Sequence, residues 1–325
     1  LANSFDVKAS TEAERRQSLA NWISDSSNPL TARVIANRVW QYHFGTGIVR
    51  TASDFGLNGE PPSHPELLDW LAAEFIDSGW SLKHLHRLIL TSTAWQQELR
   101  NNTDLANADP DNQWYGGARL LRLDAEVVRD SMLAMSGKLN DTAFGPPVPV
   151  MADRVGRFVI GKENLNAGRP GPKVDMKGEE FRRSIYIQVR RSRPLSVLES
   201  FDQPIMSPNC DLRRPSTTST QSLMMMNSDL LLEYSHYLAE HLERDACDTQ
   251  KDQICLAWQL VYSRLPEPSE QQAALRFLKD QQAHFAAMPE YQSNEKKPPK
   301  RTPEQEAMAL MCQMLLSSNE FLYVD

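Results

Sequence analysis

The chain has 325 residues, of which 41% are hydrophobic and 24% charged, the composition of a globular protein and not of a disordered one. Its length suits one large domain or two modest ones. A net charge of −7 speaks against wholesale nucleic-acid binding, and no apolar run is long enough to span a bilayer.

The segment before Glu12 has no apolar signal core. Glu12 to Ile23 then reads as a short amphipathic helix carrying Leu19, Trp22 and Ile23. Asn28 is expected to cap a second helix, with Pro29 at its first position and Gly45 at its end. Along "NPLTARVIANRVWQYHFGTG", Arg33, Asn37 and Gln41 recur every four residues beside Leu30, Val34 and Ile35. Such a stripe is a nucleic-acid reading head, a catalytic face or a set of internal ties. The Gly-rich loop that follows, if packed inward, needs partners for its backbone groups. Arg33, Asn37 and Arg38 are suited to supply them as structural polar ties, which favours the scaffold reading.

Residues 45–62 read as loop. Ser63 and Glu66 in "SHPE" have capping-box spacing and open a third helix through Leu67, Leu68, Leu71 and Phe75, ended by Gly79. Ser81 opens a fourth, with Leu82, Leu85, Leu88 and Ile89 inward. Asp124 caps a further helix through Val127, Val128 and Met135 to about Lys138. From Phe144 to Phe181 the chain is broken by Pro and Gly. "RSIYIQVRRS", residues 183–192, alternates Ile185, Ile187 and Val189 with Tyr186, Gln188 and Arg190, the pattern of a half-buried strand, with a partner expected from Arg157–Ile160. Helices resume over Leu223–Met226, Leu230–Leu242 (capped by Ser228), Ile254–Tyr262, Ser269–Phe285 and Pro303–Leu316. The last is opened by a capping box of Thr302 and Gln305.

The expected fold class is mainly α: a multi-helix globular domain with a small antiparallel β hairpin or sheet inserted near residues 150–195. Residues 1–325 read as a single large helical domain. It is divisible into a helical part over 1–140, a β/loop-rich insertion over 141–215 and a helical part over 216–325.

Strong catalytic signatures are missing. His84 and His86 form HxH, but residues two apart on a helix point away from each other, there is no HExxH, and no metal site is expected. The acidic "NTDLANADPDNQW" lacks the glycine and distal glutamate of a calcium loop and reads as a capped turn. No GxSxG elbow or P-loop occurs, and the hydroxyls of "PSTTSTQS" precede a helix they can cap. Cys210, Cys247, Cys255 and Cys312 form no CxxC. They read as buried free thiols, with one disulfide open in an oxidising compartment. Met224, Met225 and Met226 suit core filling or an adaptable surface.

Local charge is more informative. Arg182, Arg183, Arg190, Arg191, Arg193, Arg213 and Arg214 stand against Glu199, Asp202 and Asp211, so seven cations face three anions, a net of +4, and the remainder carries −11. Guanidinium forks bind carboxylate, sulfate or phosphate in two-point fashion. These arginines form a candidate anion-binding site, or else pair with the protein's own acids and tie the middle segment down.

Six stretches in order carry a resemblance: "NPLTARVIANRVWQYHFGTGIVRTASDFG", "PSHPELLDWLAAEFIDSGWSLKHLHRLIL", "RLDAEVVRDSMLAMSGKL", "RRSIYIQVRR", "FDQPIMSPNCDLRRPSTTSTQSLMMMNS" and "LLSSNEFLYVD". From about Arg16 to Asp325 the chain resembles the cytochrome-associated domain of unknown function expanded in planctomycete bacteria. The resemblance implies an extracytoplasmic (periplasmic or secreted) setting. Longer relatives carry a second domain of unknown function upstream, and often a cytochrome c-like domain. Haem c would then belong to an upstream domain, with no cofactor in this chain. The resemblance lends no reaction and no catalytic residues. Where the family more often reads "FDxPD", this chain has Phe201-Asp202-Gln203-Pro204-Ile205, which weakens any metal site there.

The expectation is a non-catalytic interaction or scaffold domain that binds an acidic partner or polyanion through its arginine-rich middle. Partners would be upstream domains of the same polypeptide, a protein partner or an acidic polysaccharide, without nucleic acid or a membrane span. The alternative is an enzyme, a hydrolase or redox accessory acting on sulfated or acidic polysaccharide. Arginines on a concave pocket with Asp54, His64 or Asp202 in reach would favour the enzyme. Arginines saturated by internal acids would leave the scaffold.

Overall fold

The computed structural model describes residues 11–99, 103–153, 155–166, 169–170, 174–204, 210, 212–213, 215–246, 249–288 and 301–324. It is mainly helical, and the chain divides into two compact units, residues 1–121 and 122–324.

In the first unit, α1 (Glu12–Ser24) opens with a capping box between Thr11 and Glu14. It buries none of its residues, and Leu19 and Ile23 stay exposed. The core is built by α2 (Thr31–Phe44), α3 (Pro65–Asp77) and α4 (Leu82–Leu90). Ala36, Val39 and Trp40 meet Leu68, Leu71, Phe75, Leu85 and Ile89, with Ile48 and Val49 inserted from the loop after α2. Gly45 ends α2 with φ of +74°, a left-handed conformation that glycine adopts without steric cost. A short helix, α5 (Thr103–Ala108), follows.

Two caps expected in the first unit do not form. Asn28 Oδ1 accepts from the backbone of Leu30 at 2.9 Å and of Thr31 at 3.3 Å, and so shapes the turn ahead of α2, which starts at Thr31. Ser63 turns its hydroxyl to the carbonyl of Ile48 at 3.2 Å, and α3 starts at Pro65 without a side-chain cap. Satisfying an inward-packed loop competes with capping for the same hydroxyl. Ser81 does cap α4, accepting from the backbone of His84 at 3.3 Å, although Leu82 is exposed.

The three candidate ties of α2 behave differently. Asn37 is fully buried and clamps Val49 at both backbone groups: its Nδ2 donates to the carbonyl at 2.9 Å and its Oδ1 accepts from the N–H at 2.8 Å. A Cβ on Gly47 would lie 2.7 Å from Asn37 Nδ2, so the loop can pass this close only as glycine. Arg33 ties α2 to α3 through Asp69 at 2.6 Å and bonds the Pro29 carbonyl, not the glycine loop. Arg38 is exposed and has no partner among the described residues.

In the second unit, α9 (Asp229–Asp245) packs along α12 (Pro303–Leu316), with α10 (Gln250–Tyr262) and α11 (Pro268–Ala287) beside them. Leu231, Leu238, Leu242, Ile254, Leu278, Met311 and Leu315 fill the interior. Short helices α7 (Ser196–Ser200), α8 (Ser219–Asn227) and α13 (Asn319–Leu322) and the longer α6 (Ala125–Met135) complete the unit. The Thr302–Gln305 capping box forms as expected. Asp124 and Ser228 stand at N-cap positions but make no side-chain cap bond. Met225 is buried, whereas Met226 is exposed. Cys312 is a buried free thiol, Cys255 a half-buried one and Cys210 an exposed one, while Cys247 lies outside the described residues.

The β content is small. Val150–Ala152 pairs antiparallel with Phe158–Ile160, Val150 opposite Ile160, and Leu165–Asn166 pairs with Arg169–Pro170. The strand expected over 183–192 is absent. Ser184–Tyr186 forms a 3₁₀ turn, and only Ile187 makes a bridge, parallel to Val148. Three residues per turn break the two-residue alternation. Ile187 is therefore buried, while Ile185 is 75% and Val189 65% exposed. The stretch Phe158–Ile160 finds its partner locally.

Replacing Asn37 with alanine leaves the Val49 N–H and carbonyl buried and unbonded, so Asn37→Ala is expected to cost about 2–4 kcal/mol in urea unfolding, against less than about 0.5 kcal/mol for Arg38→Ala.

Candidate functional site

Two guanidinium groups with 1% exposure organise the segment from Asn140 to Tyr186. Arg129, on α6, donates to the carbonyls of Arg182 at 2.9 Å and Glu180 at 2.8 Å and to the Ser184 hydroxyl at 3.1 Å. Its neighbour Asp130 accepts from the backbone and hydroxyl of Ser184 at 2.8 and 2.7 Å. Arg182 donates to the carbonyls of Pro146 at 3.0 Å, Thr142 at 3.2 Å and Phe144, and its guanidinium lies 4.1 Å from the centre of the Tyr186 ring. A buried cation is tolerable only when such bonds replace its water. Arg182 is therefore committed to the interior and does not reach the surface.

A polar knot ties the next turn. Asp202, held at φ of +61°, accepts from Arg122 at 2.8 Å, from the backbone and hydroxyl of Ser216 at 2.7 and 2.9 Å, and from Gln221 at 3.3 Å. Burial opposes the charge on Asp202, but the bonds from Ser216 and Arg122 outweigh it and hold the carboxyl below the usual carboxylate range. Its acceptor positions are thus taken up within the fold.

Above these ties lies a groove of about 310 Å³. Its apolar lining includes Ile187, Leu195 and Leu198, and Arg190, Arg191 and Arg213 line it together with Glu126, Glu199 and Gln188. Arg213 bonds Glu126 at 2.7 and 3.1 Å and lies 3.2 Å from Asp124. Arg190 and Arg193 share one carboxylate, Glu163, at 3.4 and 2.7 Å. Arg183 is exposed, 3.8 Å from Asp130. Arg191 is exposed and has no partner among the described residues. Arg214 lies outside the described residues. Three of the seven candidate arginines thus share one groove. Asp54 and His64 belong to the first unit, and Asp202 does not line the groove.

Arg122 and Arg129 carry much of this architecture, yet neither stands out in the sequence. Apart from the adjacent Asp130, their partners are backbone carbonyls, a serine hydroxyl and an aspartate 51 to 94 residues away, which no local spacing announces.

In the first unit the HxH histidines face different partners, as their spacing requires. His84 bonds Glu74 at 2.8 Å, and His86 Nδ1 meets His43 Nε2 at 2.8 Å. His43 was not singled out by the sequence, because its partner lies on another helix. Among the described residues, no group of three or more His, Cys, Asp or Glu side chains is placed to hold a metal.

A family model described as PSD1, protein of unknown function (DUF1553), matches residues 15–278. The chain belongs to the DUF1553 family. No curated protein and no solved structure matches it. The DUF1553 match takes in both buried arginines, the Asp202 knot and every lining residue of the groove, while α12 and α13 lie beyond it. Among the described residues, no helix of this DUF1553 chain is long and apolar enough to cross a membrane.

Two outcomes follow from these contacts. Arg182→Met removes every bond by which this buried side chain gathers the carbonyls of residues 142, 144 and 146, and is expected to lower the urea-unfolding stability by about 3 kcal/mol, whereas Arg191→Gln changes it by less than about 0.5 kcal/mol. Burial first, and then His86, hold His43 below its ordinary 6.5. The unfolded chain therefore takes up this proton at a higher pH than the folded one. The stability linked to His43 is full above pH 6.5 and falls as pH drops towards the folded value. His43→Gln should flatten this part of the profile of melting temperature against pH, and an unaltered slope would refute the assignment.

Proposed function

We propose that this chain is a non-catalytic interaction domain whose second unit takes an acidic partner into the groove at Arg190, Arg191 and Arg213. The observation that carries the reading is Arg191, an exposed guanidinium on a concave surface with no counter-ion among the described residues. Beside it, Arg190 and Arg193 divide one carboxylate between them, so this end of the groove keeps an excess of positive charge. The apolar lining of Ile187, Leu195 and Leu198 suits a partner that brings carboxylates next to an apolar surface. The internal bonding of Arg129, Arg182 and Asp202 supports a scaffold that holds this groove in shape.

The partner in this reading is an upstream domain of the same polypeptide or a separate acidic protein, in an extracytoplasmic setting beside a haem-bearing domain. An acidic polysaccharide offers the same carboxylates or sulfates.

Because the whole chain carries −7, retention on an anionic matrix has to come from a local patch. The chain is expected to bind a uronic-acid or sulfated resin and to elute with salt. Arg190→Gln combined with Arg191→Gln should abolish retention, while Arg183→Gln leaves it in place. Equal retention of the double variant would remove the anion-binding reading.

A further inference from the structure

A second cavity, of about 240 Å³, lies wholly within the first unit, between the loop after α2 and residues 111–119. Its far wall is a loop with unusual backbone. Asn112 and Tyr115 have φ of +48° and +52°, left-handed values that asparagine tolerates and tyrosine adopts at a cost. The loop is held by Asp109, which accepts from the backbone of Gln113 at 2.9 Å and of Trp114 at 2.8 Å, and by Asn112 Nδ2, which donates to the carbonyl of Gly117 at 2.7 Å. The strained position of Tyr115 lets its hydroxyl accept from Trp40 Nε1 at 2.9 Å, with its ring edge-on to Trp40 and Phe44.

The polar groups of the lining are incompletely used. Asn112 Oδ1 has no hydrogen-bond partner among the described residues, and it is closed off from the cavity surface. A buried acceptor left in this state costs about 1–3 kcal/mol. Arg119 is half-buried and bonds the Thr46 hydroxyl at 3.2 Å, with no carboxylate partner among the described residues. The Glu60 carboxylate likewise has no partner among them. Arg50 and Asp111 pair across the mouth at 3.3 Å.

The lining therefore holds two cations, Arg50 and Arg119, and two anions, Glu60 and Asp111. This balance disfavours a simple anion or cation. It suits a neutral ligand that both donates and accepts at several points, which is the property of hydroxyl groups. Phe44, Tyr115, Pro61 and Pro62 add an apolar wall for the carbon skeleton. At about 240 Å³ the cavity falls below the roughly 300–1,000 Å³ of drug-sized sites, which suits one ring and not several.

We propose that this cavity binds a single hydroxyl-rich six-membered ring of the pyranose class. Arg119 donates to its hydroxyls and Glu60 accepts from them. The site is independent of the arginine groove.

The test is saturation-transfer-difference NMR on the full chain with methyl gluco-, galacto-, manno- and xylopyranoside, and with cyclohexanol and inorganic sulfate as comparison ligands. At least one pyranoside should show ring-proton enhancement in the millimolar range, and cyclohexanol none. Glu60→Ala, at an exposed position, and Arg119→Met, checked for an unchanged unfolding midpoint, should each weaken that pyranoside by about tenfold. Arg191→Gln should leave it unchanged. The proposal is overturned if no pyranoside binds, if Glu60→Ala binds as well as the parent chain, or if sulfate displaces the pyranoside.

Discussion

The second unit depends on two cations kept out of water. Arg129 and Arg182 sit where ordinary packing would place leucine, and each is tolerated because backbone carbonyls stand in for its hydration shell. The segment from Asn140 to Tyr186 has little regular structure with which to satisfy its own carbonyls. The guanidinium forks take over that task, with five donors apiece in a fixed plane. Arg129 reaches from α6 into the segment, and Arg182 gathers the segment about itself. Removal of the Arg129 fork would leave the buried Arg182 carbonyl without its donor, and removal of the Arg182 fork would release three carbonyls of the segment at once, each more damaging than the loss of an exposed ion pair.

The same device appears in the first unit with a neutral side chain. Asn37 gives Val49 what Arg182 gives residues 142–146, side-chain donors for an irregular segment, although Val49 is buried and residues 142–146 are exposed. Gly47 then allows the close approach. In both units a helix lends a polar side chain to a neighbouring irregular segment. The irregular segments, and not the helices, form much of the two cavities.

This arrangement grades the arginines of the middle segment. Arg182 is wholly internal, Arg213 lies between two acids, Arg190 and Arg193 share one, and Arg191 has none among the described residues. Among the described residues, guanidinium charge left over after these pairings is therefore found at one end of a groove with an apolar lining, a narrower feature than the charge of the whole window suggests. Each unit thus presents a different chemistry: an excess of guanidinium in the second, and a charge-balanced polar cavity with an aromatic wall in the first.

Much of the fold was legible in the chain itself. Apolar spacing located the longer helices but not the short α5, α7 and α13, the first of which lies in a stretch read as a capped turn, and α12 begins at Pro303 behind the capping box that Thr302 and Gln305 announce. Gly45 ends α2, Ser81 caps α4, and the Pro- and Gly-broken middle carries only short strands. These features are local, set by backbone sterics and by hydrogen bonds that span a few residues. Whatever depended on partners far along the chain was decided by tertiary structure. Ser63 chose the Ile48 carbonyl over a helix cap, and "RSIYIQVRR" turned as a 3₁₀ segment because its surroundings offered one bridge at Val148 in place of a strand. The sequence also brought Arg190, Arg191 and Arg213 to notice, but it could not separate them from Arg182. The difference between a buried tie and a surface cation lies in which carbonyls and carboxylates the fold brings within about 3 Å, and a side chain's own identity does not encode that.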